Sequence, residues 1–437
     1  MQRPLRRAIS AAVSSARHRR GLSTAASRPP WAIIEEAALV RSTSPRASLQ
    51  LADPPCFSNL LVPAHRIDPL PRLDSDPRSA GIFGGGVRAT SGDGLLLLQF
   101  ADGPATPAGV AKLRAAREGE EVRLDIDPDI TRLVCNPLSG EMFRLPDIDG
   151  TKKVRTWHAH GILTQSARGH GPPDRYAVAE LSVDGEGDNR SFVMRRFFSQ
   201  TGEWDKLVGL PSPLPRPRRI DIDHEVLAFG GRLWWVDLTW GAVSADPFSD
   251  RPELRFVELP RASVWPLPGP GKRAPNQVPV QGRYRRMGVS EGRLRYVEVS
   301  QKDPFMLSSF TLEDDRLGWT LEHQVALKRI WANAGNQEGT PRIGVIDPLN
   351  ASMVCVLIGK HSLAIDMDVG KVLGCSMMIN SGGPDAFLTA LIKPCVLPPW
   401  LGSSRIPSAG TITSTTSYAK STTLADILSR VDINKKN

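Results

Sequence analysis

The chain contains no apolar run approaching the roughly 20 residues that cross a bilayer as a helix. The stretch Leu95–Leu98 is long enough only for a buried strand. Cysteine is scarce: Cys56, Cys135, Cys355, Cys375 and Cys395 form an odd set with no C-x-x-C pair. That argues against a disulfide framework or a zinc knuckle, and for reduced thiols behaving as small buried hydrophobes. No Lys-Ser/Thr follows Gly84-Gly85-Gly86, so those glycines read as a flexible loop and not a phosphate cradle. No apolar core of a secretory signal is present. Asn189-Arg190-Ser191 and Asn350-Ala351-Ser352, which fit the glycosylation acceptor pattern, therefore mean no more than surface loops.

Acid is missing from the N-terminus. Seven arginines (Arg3, Arg6, Arg7, Arg17, Arg19, Arg20 and Arg28) precede the first acidic residue, Glu35. Residues 1–28 are rich in Arg, Ser and Ala, and Leu5, Ile9 and Val13 recur every fourth position. This is the pattern of an organellar transit peptide, with Arg19-Arg20-Gly21-Leu22-Ser23 resembling a processing site. Arginine enrichment favours the mitochondrion over the chloroplast; a basic tail that leaves the protein cytoplasmic or nuclear is the alternative. The same segment explains the charge. The whole chain carries +9, and without these seven arginines +2. A nucleic-acid-binding body would carry a basic stripe of its own, so nucleic acid is not the expected partner.

The 437 residues include 38 Gly and 37 Pro, which implies many turns. Gly231-Arg232-Leu233-Trp234-Trp235-Val236-Asp237-Leu238 recurs as Gly292-Arg293-Leu294-Arg295-Tyr296-Val297-Glu298-Val299, an offset of 61. Ser139-Gly140-Glu141 recurs as Thr201-Gly202-Glu203, an offset of 62. Two unrelated motifs sharing one period indicate a repeated supersecondary unit. Strand-like runs fall about four to a unit, with Pro63–Gly94 and Trp265–Gln281 as long loops. In each octet both faces of the strand carry apolar residues, as expected when a sheet lies between two others. Trp235 and Tyr296 should pack against one neighbouring sheet, and Val236, Leu238, Val297 and Val299 against the other. The expected fold is all-β and propeller-like, with about five to six four-stranded units over residues 29–400.

GRLWWVDLTWGAVSADPF with FVELP, and GRLRYVEV with FTLEDDRLGWTLEH, resemble the plant family catalogued as domain of unknown function 1618, expanded in grasses. The likeness runs from Gly231 to Met378, and the opening RPPWAII is also typical. Asn136–Pro146 (NPLSGEMFRLP) is similar to blades of F-box-associated and kelch-like propellers. The resemblance implies a fold but no activity, cofactor or catalytic residue, and no F-box-like helical segment precedes the repeats.

Candidate chemistry is thin. Gly288-Val289-Ser290-Glu291-Gly292 fits G-x-S-x-G, but a nucleophile elbow needs a helix leaving the serine; GRLRYVEV follows, so a hairpin turn is expected. His158, His160 and His170 could supply metal ligands but lack a matching carboxylate set. No catalytic, metal or cofactor site is expected. Asp237 and Glu298 occupy equivalent positions and could form a polar recognition surface; Trp204, Trp235, Tyr296 and Trp319 should be structural. Residues 401–437 form a Ser/Thr-rich tail in which Leu424, Ile427, Leu428 and Val431 mark one stripe of a short helix capped by Thr423 and Asp426, disordered until it docks. The expected function is a protein-interaction module in an organelle, with unidentified protein partners. An enzyme on a propeller scaffold and a nucleic-acid-binding organellar factor are the alternatives.

Overall fold

The computed structural model describes residues 28–408 except 68–79, 106–128, 153–158, 170, 186–189, 216–217, 219, 223, 265–280, 314–317, 332–338 and 378–391. Residues 1–27 of the leader, the loop 265–280, His158, His170 and the tail helix thus lie outside the described residues.

The first three strands are β1 (Trp31–Ser42), β2 (Ser48–Gln50) and β3 (Phe57–Pro63). Five four-stranded antiparallel sheets follow as successive meanders. Blade 1 holds β4 (Ala80–Thr90), β5 (Leu96–Ala105), β6 (Asp129–Cys135) and β7 (Met142–Arg144). Blade 2 holds β8 (His160–Gln165), β9 (Arg175–Asp184), β10 (Ser191–Phe198) and β11 (Glu203–Pro211). Blade 3 holds β12 (Glu225–Phe229), β13 (Arg232–Asp237), β14 (Gly241–Ala245) and β15 (Arg255–Glu258). Blade 4 holds β16 (Arg285–Ser290), β17 (Arg293–Val299), β18 (Met306–Glu313) and β19 (Gly318–Ala326). Blade 5 holds β20 (Arg342–Ile346), β21 (Met353–Ile358), β22 (His361–Asp366) and β23 (Lys371–Met377).

The last strand, β24 (Ile392–Val396), returns to the N-terminal strands in a sixth, mixed sheet of order β2-β3-β1-β24. Trp31 pairs with Val396 and Glu35 with Ile392 in antiparallel register, while β1 and β3 run parallel. The first strands of the blades pack in sequence from β4 through β8, β12, β16 and β20 to β24, and β24 packs back on β4. The molecule is an all-β propeller whose ring is closed by pairing the two ends of the described chain.

Both repeats locate equivalent positions. The two octets are β13 and β17, the second strands of blades 3 and 4, and Gly140 and Gly202 sit in the turns that enter β7 and β11. The octets are entered by two-residue turns in which both central residues have positive φ: Gly230 (58°) and Gly231 (70°), and Glu291 (49°) and Gly292 (68°). Such turns match the right-handed twist of the flanking strands and favour glycine.

The core consists of the apolar layers between blades. Trp235 is fully buried with Leu163, Ala179 and Phe192 of blade 2, and its indole N–H donates to Ala159 O at 3.3 Å. On the opposite face Val236 and Leu238 pack with Met287, Leu294 and Tyr296 of blade 4. Val297 and Val299 pack in turn with Ile343, Val354 and Val356 of blade 5. Trp319 is half-buried and donates to Glu258 O at 2.7 Å; Trp204 donates to Pro146 O at 2.8 Å.

One expectation is corrected. Residues 63–94 are not a continuous loop, because Ala80–Thr90, including Gly84–Gly86, is the inner strand of blade 1. A Cβ on Gly85 would lie 2.4 Å from Gln99 O and 2.6 Å from Phe100 Cδ1. The backbones approach too closely there for a side chain, a recognised use of glycine within strands.

Candidate functional site

The most concentrated chemistry lies where the inner strands begin. Glu225 is the first residue of β12, Arg286 the second of β16 and Lys393 the second of β24. Glu225 pairs with Val236 and Arg286 with Val297, the same position of the two octets. Because β12 and β24 stand three blades apart in a ring of six, a contact between Glu225 and Lys393 crosses the channel. It is made: Lys393 Nζ donates to Glu225 Oε1 at 2.8 Å, and Arg286 Nη2 donates to the same oxygen at 2.9 Å. Arg286 also donates to Gly344 O on blade 5 and Ile392 O on the closing sheet. The three side chains are 4 %, 3 % and 5 % exposed as residues. One arginine and one lysine thus tie four of the six sheets through a single carboxylate and two carbonyls.

Burial alone would raise the Glu225 carboxyl, but Arg286 and Lys393 more than reverse it and hold it at about 2. Burial pushes the adjacent His224 down to about 4; Glu225 favours its protonated form while Lys393 and Arg286 oppose it. The imidazole is therefore neutral at pH 7. The cluster carries a net positive charge, yet these hydrogen bonds run inward among its own members and the backbone. It joins the inner strands across the axis at this end.

A second buried chain runs outward across blade 2. His160 Nε2 lies 3.0 Å from Glu180 Oε2, and Arg195 reaches Glu180 Oε1 at 3.1 Å and Asp149 Oδ2 at 3.3 Å. The Trp204 ring stands edge-on to the imidazole, with centroids 6.5 Å apart. Among the described residues no group of three or more His, Cys, Asp and Glu is placed to hold a metal ion.

Ser290 closes the opposite end of β16. Its hydroxyl donates to Asp347 O, and a hairpin carries the chain directly into β17. The strand–turn–helix of a nucleophile elbow is therefore not formed. Asp237 is buried: Oδ1 accepts from Thr239 N at 2.8 Å and Thr239 Oγ1 at 2.6 Å, and Oδ2 from Asp221 N at 3.0 Å. Burial raises its carboxyl, and those hydrogen bonds work the other way. Glu298 is a quarter exposed and accepts from Tyr296 Oη at 2.9 Å. Of this pair only Glu298 reaches solvent; Asp237 organises the turn between β13 and β14.

The end of the ring marked by Ser290 and Asp347 also holds a cavity of about 400 Å³ between the closing sheet and blade 5. Met353 and Cys355 of β21, with Ala364 opposite Cys355, form one wall; Trp31 and Pro54 face them. The Cys355 thiol, raised to about 12 chiefly by burial, serves there as an apolar surface.

The third feature is an edge. The outer strands β2 and β7 have three residues each, and β11, β15 and β19 carry Glu203, Asp205 and Lys206, Arg255 and Glu258, and Glu322 and His323. Strand β23 (KVLGCSM) has seven residues and one charge, Lys371, at its start. Leu373 is 61 % and Met377 64 % exposed, Cys375 between them is exposed, and Val369 in the preceding turn is 58 % exposed. Gly374 and Ser376 face the closing sheet, where Ser376 Oγ donates to Pro55 O at 3.0 Å, while Val372 packs with Ile365 in the core between blades 4 and 5. His323 Nδ1, 3.0 Å from Asp368 Oδ1, pins the turn entering β23 to blade 4. Among the described residues β23 is the last strand of its sheet, a place that its sequence alternation alone does not give.

Comparison with solved structures gives remote likenesses. The periplasmic gluconolactonase PpgL of Pseudomonas aeruginosa is 12 % identical, with a TM-score of 0.31, over 84 % of this chain and 99 % of its own. A putative 6-phosphogluconolactonase of Bacteroides fragilis is 11 % identical, with a TM-score of 0.26, over 82 % and 97 %. The GH32 beta-fructofuranosidase BmSUC1 of Bombyx mori is 10 % identical, with a TM-score of 0.28, over 67 % and 59 %. Likenesses at this level carry no argument about activity. No curated protein sequence matches the chain. Residues 235–356, from β13 through β21, match the model of the family described as "Protein of unknown function (DUF1618)".

Proposed function

We propose that the chain is a protein-interaction scaffold of propeller type, directed to the mitochondrion by its basic leader, which captures an extended segment of a partner protein along β23. The observation that carries this reading is the contrast among the edges. Sheet edges expose unpaired N–H and C=O groups, and proteins blunt them by brevity and charge. Strands β2 and β7 fit that rule by brevity, β15 by brevity and charge, and β11 and β19 by charges within the strand, whereas β23 has its one charge at its start and displays Leu373 and Met377. Added-strand recognition needs such an edge: main-chain hydrogen bonds give affinity, and alternating side chains give selectivity. The contacts of Ser376 and Asp368 hold the strand in place before a partner arrives, which lowers the ordering cost of binding. The Glu225–Arg286–Lys393 cluster, the densest group of charges at the inner strands, is engaged in tying four sheets together, which favours scaffold over enzyme.

A photo-crosslinking residue at position 373 in the full chain, expressed in cells, is the test. Crosslinks should form to one or a few proteins, disappear in a Met377→Lys background, and be absent with the crosslinker at Glu253. Equal crosslinking at both positions, or none at 373, overturns the reading. The address is tested separately: residues 1–28 fused to a fluorescent protein should enter mitochondria, and a cytosolic fusion refutes it.

A further inference from the structure

The cavity between the closing sheet and blade 5 is independent of the β23 edge and calls for a different occupant. At about 400 Å³ it lies within the range of small-molecule sites, which are mostly apolar with a few placed polar groups. Its walls are of that kind: Trp31 with proline on one side, Met353 and the protonated Cys355 on the other. Two carboxylates border it. Asp53 is exposed and forms no ion pair among the described residues. Asp347 is partly buried and likewise has no basic partner among them; its Oδ1 accepts from Leu349 N at 2.8 Å and Asn350 N at 3.1 Å, and it accepts a hydrogen bond from Trp31. Burial pushes the Asp347 carboxyl up, the hydrogen bonds pull it back, and nearby Glu291 raises it further. The bordering cation, Arg28, is directed elsewhere, donating Nη2 to Leu397 O at 3.2 Å and Pro398 O at 2.9 Å.

An apolar slot with an aromatic wall and two carboxylates without ion-pair partners suits one ligand chemistry. A positive head group gains from both acids and offsets the desolvation of the Asp347 carboxylate, while an apolar body gains from Trp31 and Met353. An anion would meet two like charges, and a neutral apolar body would leave Asp347 uncompensated. We infer that this cavity binds a small organic amine, with its ammonium between Asp53 and Asp347 and its apolar body against Trp31 and Met353.

Titration calorimetry on the full-length protein with 2-phenylethylamine, N-acetyl-2-phenylethylamine and phenylacetate tests the inference. The amine should bind, and the neutral and anionic analogues should bind at least about tenfold more weakly, a difference of about 1.4 kcal/mol. Asp53→Asn, at an exposed site, and Asp347→Asn, which keeps the oxygen that caps its turn, should each weaken the amine about tenfold. Circular dichroism verifies that both variants are folded. Met377→Lys should leave the amine's affinity unchanged, which separates this site from the β23 edge. Equal binding of amine and N-acetyl analogue, no effect of either Asp variant, or no heat with the amine at about 10 mM, an affinity too weak to matter, overturns it.

Discussion

Replacing Glu225 by glutamine tests the reading of the channel cluster most directly. The substitution keeps the shape of the side chain and one acceptor oxygen but removes the carboxylate that bonds to both Arg286 and Lys393. Two cations then face each other in a site where all three residues are almost fully buried. Removing one partner of a buried ion pair typically costs about 3–5 kcal/mol, because the remaining charge is left uncompensated. A second variant separates charge from packing. Replacing all three residues with Leu, Met and Met removes every buried charge, which elsewhere is neutral or stabilising by about 1–4 kcal/mol. Here Arg286 also serves the carbonyls of Gly344 and Ile392, and orphaning each costs about 1–3 kcal/mol. The triple variant should therefore recover part of the loss and not exceed the parent. Urea unfolding at pH 7 is the assay, with a lower midpoint at unchanged slope expected for Glu225→Gln. A Glu225→Gln protein within about 0.5 kcal/mol of the parent, or a triple variant less stable than the single, refutes the argument.

The same cluster predicts an acid limb. Glu225 titrates at about 2 in the fold against an ordinary value of 4.5. Its contribution is complete above about 4.5 and is lost as pH falls toward 2, since the unfolded chain takes the proton first. His224, half-buried, is a base held down to about 4 from 6.5, so acidification between those values also favours the unfolded chain. Glu225→Gln should make the limb below about pH 4.5 shallower and leave the loss that sets in below about 6.5 from His224, which takes its proton lower still once Glu225 is gone; an unaltered limb below 4.5 counts against the assignment. Trp235→Ala should cost about 3–5 kcal/mol by opening a cavity between blades 2 and 3, and a loss under about 1 kcal/mol in chemical denaturation would contradict its burial. In the native protein a water-soluble thiol reagent should label Cys56 and Cys375 quickly and spare the buried Cys135, Cys355 and Cys395; mass spectrometry of the labelled peptides decides. Ser290→Ala loses one hydrogen bond to Asp347 O and should cost about 1 kcal/mol; a much larger effect would mean that the hydroxyl does more than join two strand ends.

Much of the fold was legible because it rests on local rules. GRLWWVDL and GRLRYVEV alternate, begin at two-residue turns and carry apolar residues on both faces, which is enough to place each between two sheets. Ser290 was readable as a turn residue because the following residues form a strand. Other features depend on partners distant in sequence. Trp31–Val40 reads as an apolar segment that starts the fold, but nothing local says that it will form a strand, pair with Val396 and so close the ring. Ala80–Thr90 reads as a loop because its glycines suppress strand propensity, and the reason for them is the approach of Phe100, which composition does not reveal.

The charged cluster shows how a repeat carries information that motif searching passes over. The offset of 61 that aligns Trp235 with Tyr296 also carries Glu225 onto Arg286, so one inner-strand position holds opposite charges in consecutive blades. In an exposed array such a pair would mean little. At the innermost strand of a closed ring it means burial, because every blade presents that strand to the axis, and buried charges need partners. The pairing of Glu225 with Arg286 could therefore have been inferred from the period alone. Lys393 could not, since β24 follows no repeat and its place opposite β12 exists only once the ring is closed. Asp237 and Glu298, which the same period aligns, diverge for a related reason: Thr239 and the backbone of Asp221 draw Asp237 into its own turn, while Glu298 meets Tyr296 and stays partly in solvent. Equivalence in a repeat thus specifies the position of a side chain, and the neighbouring blade decides what that side chain does.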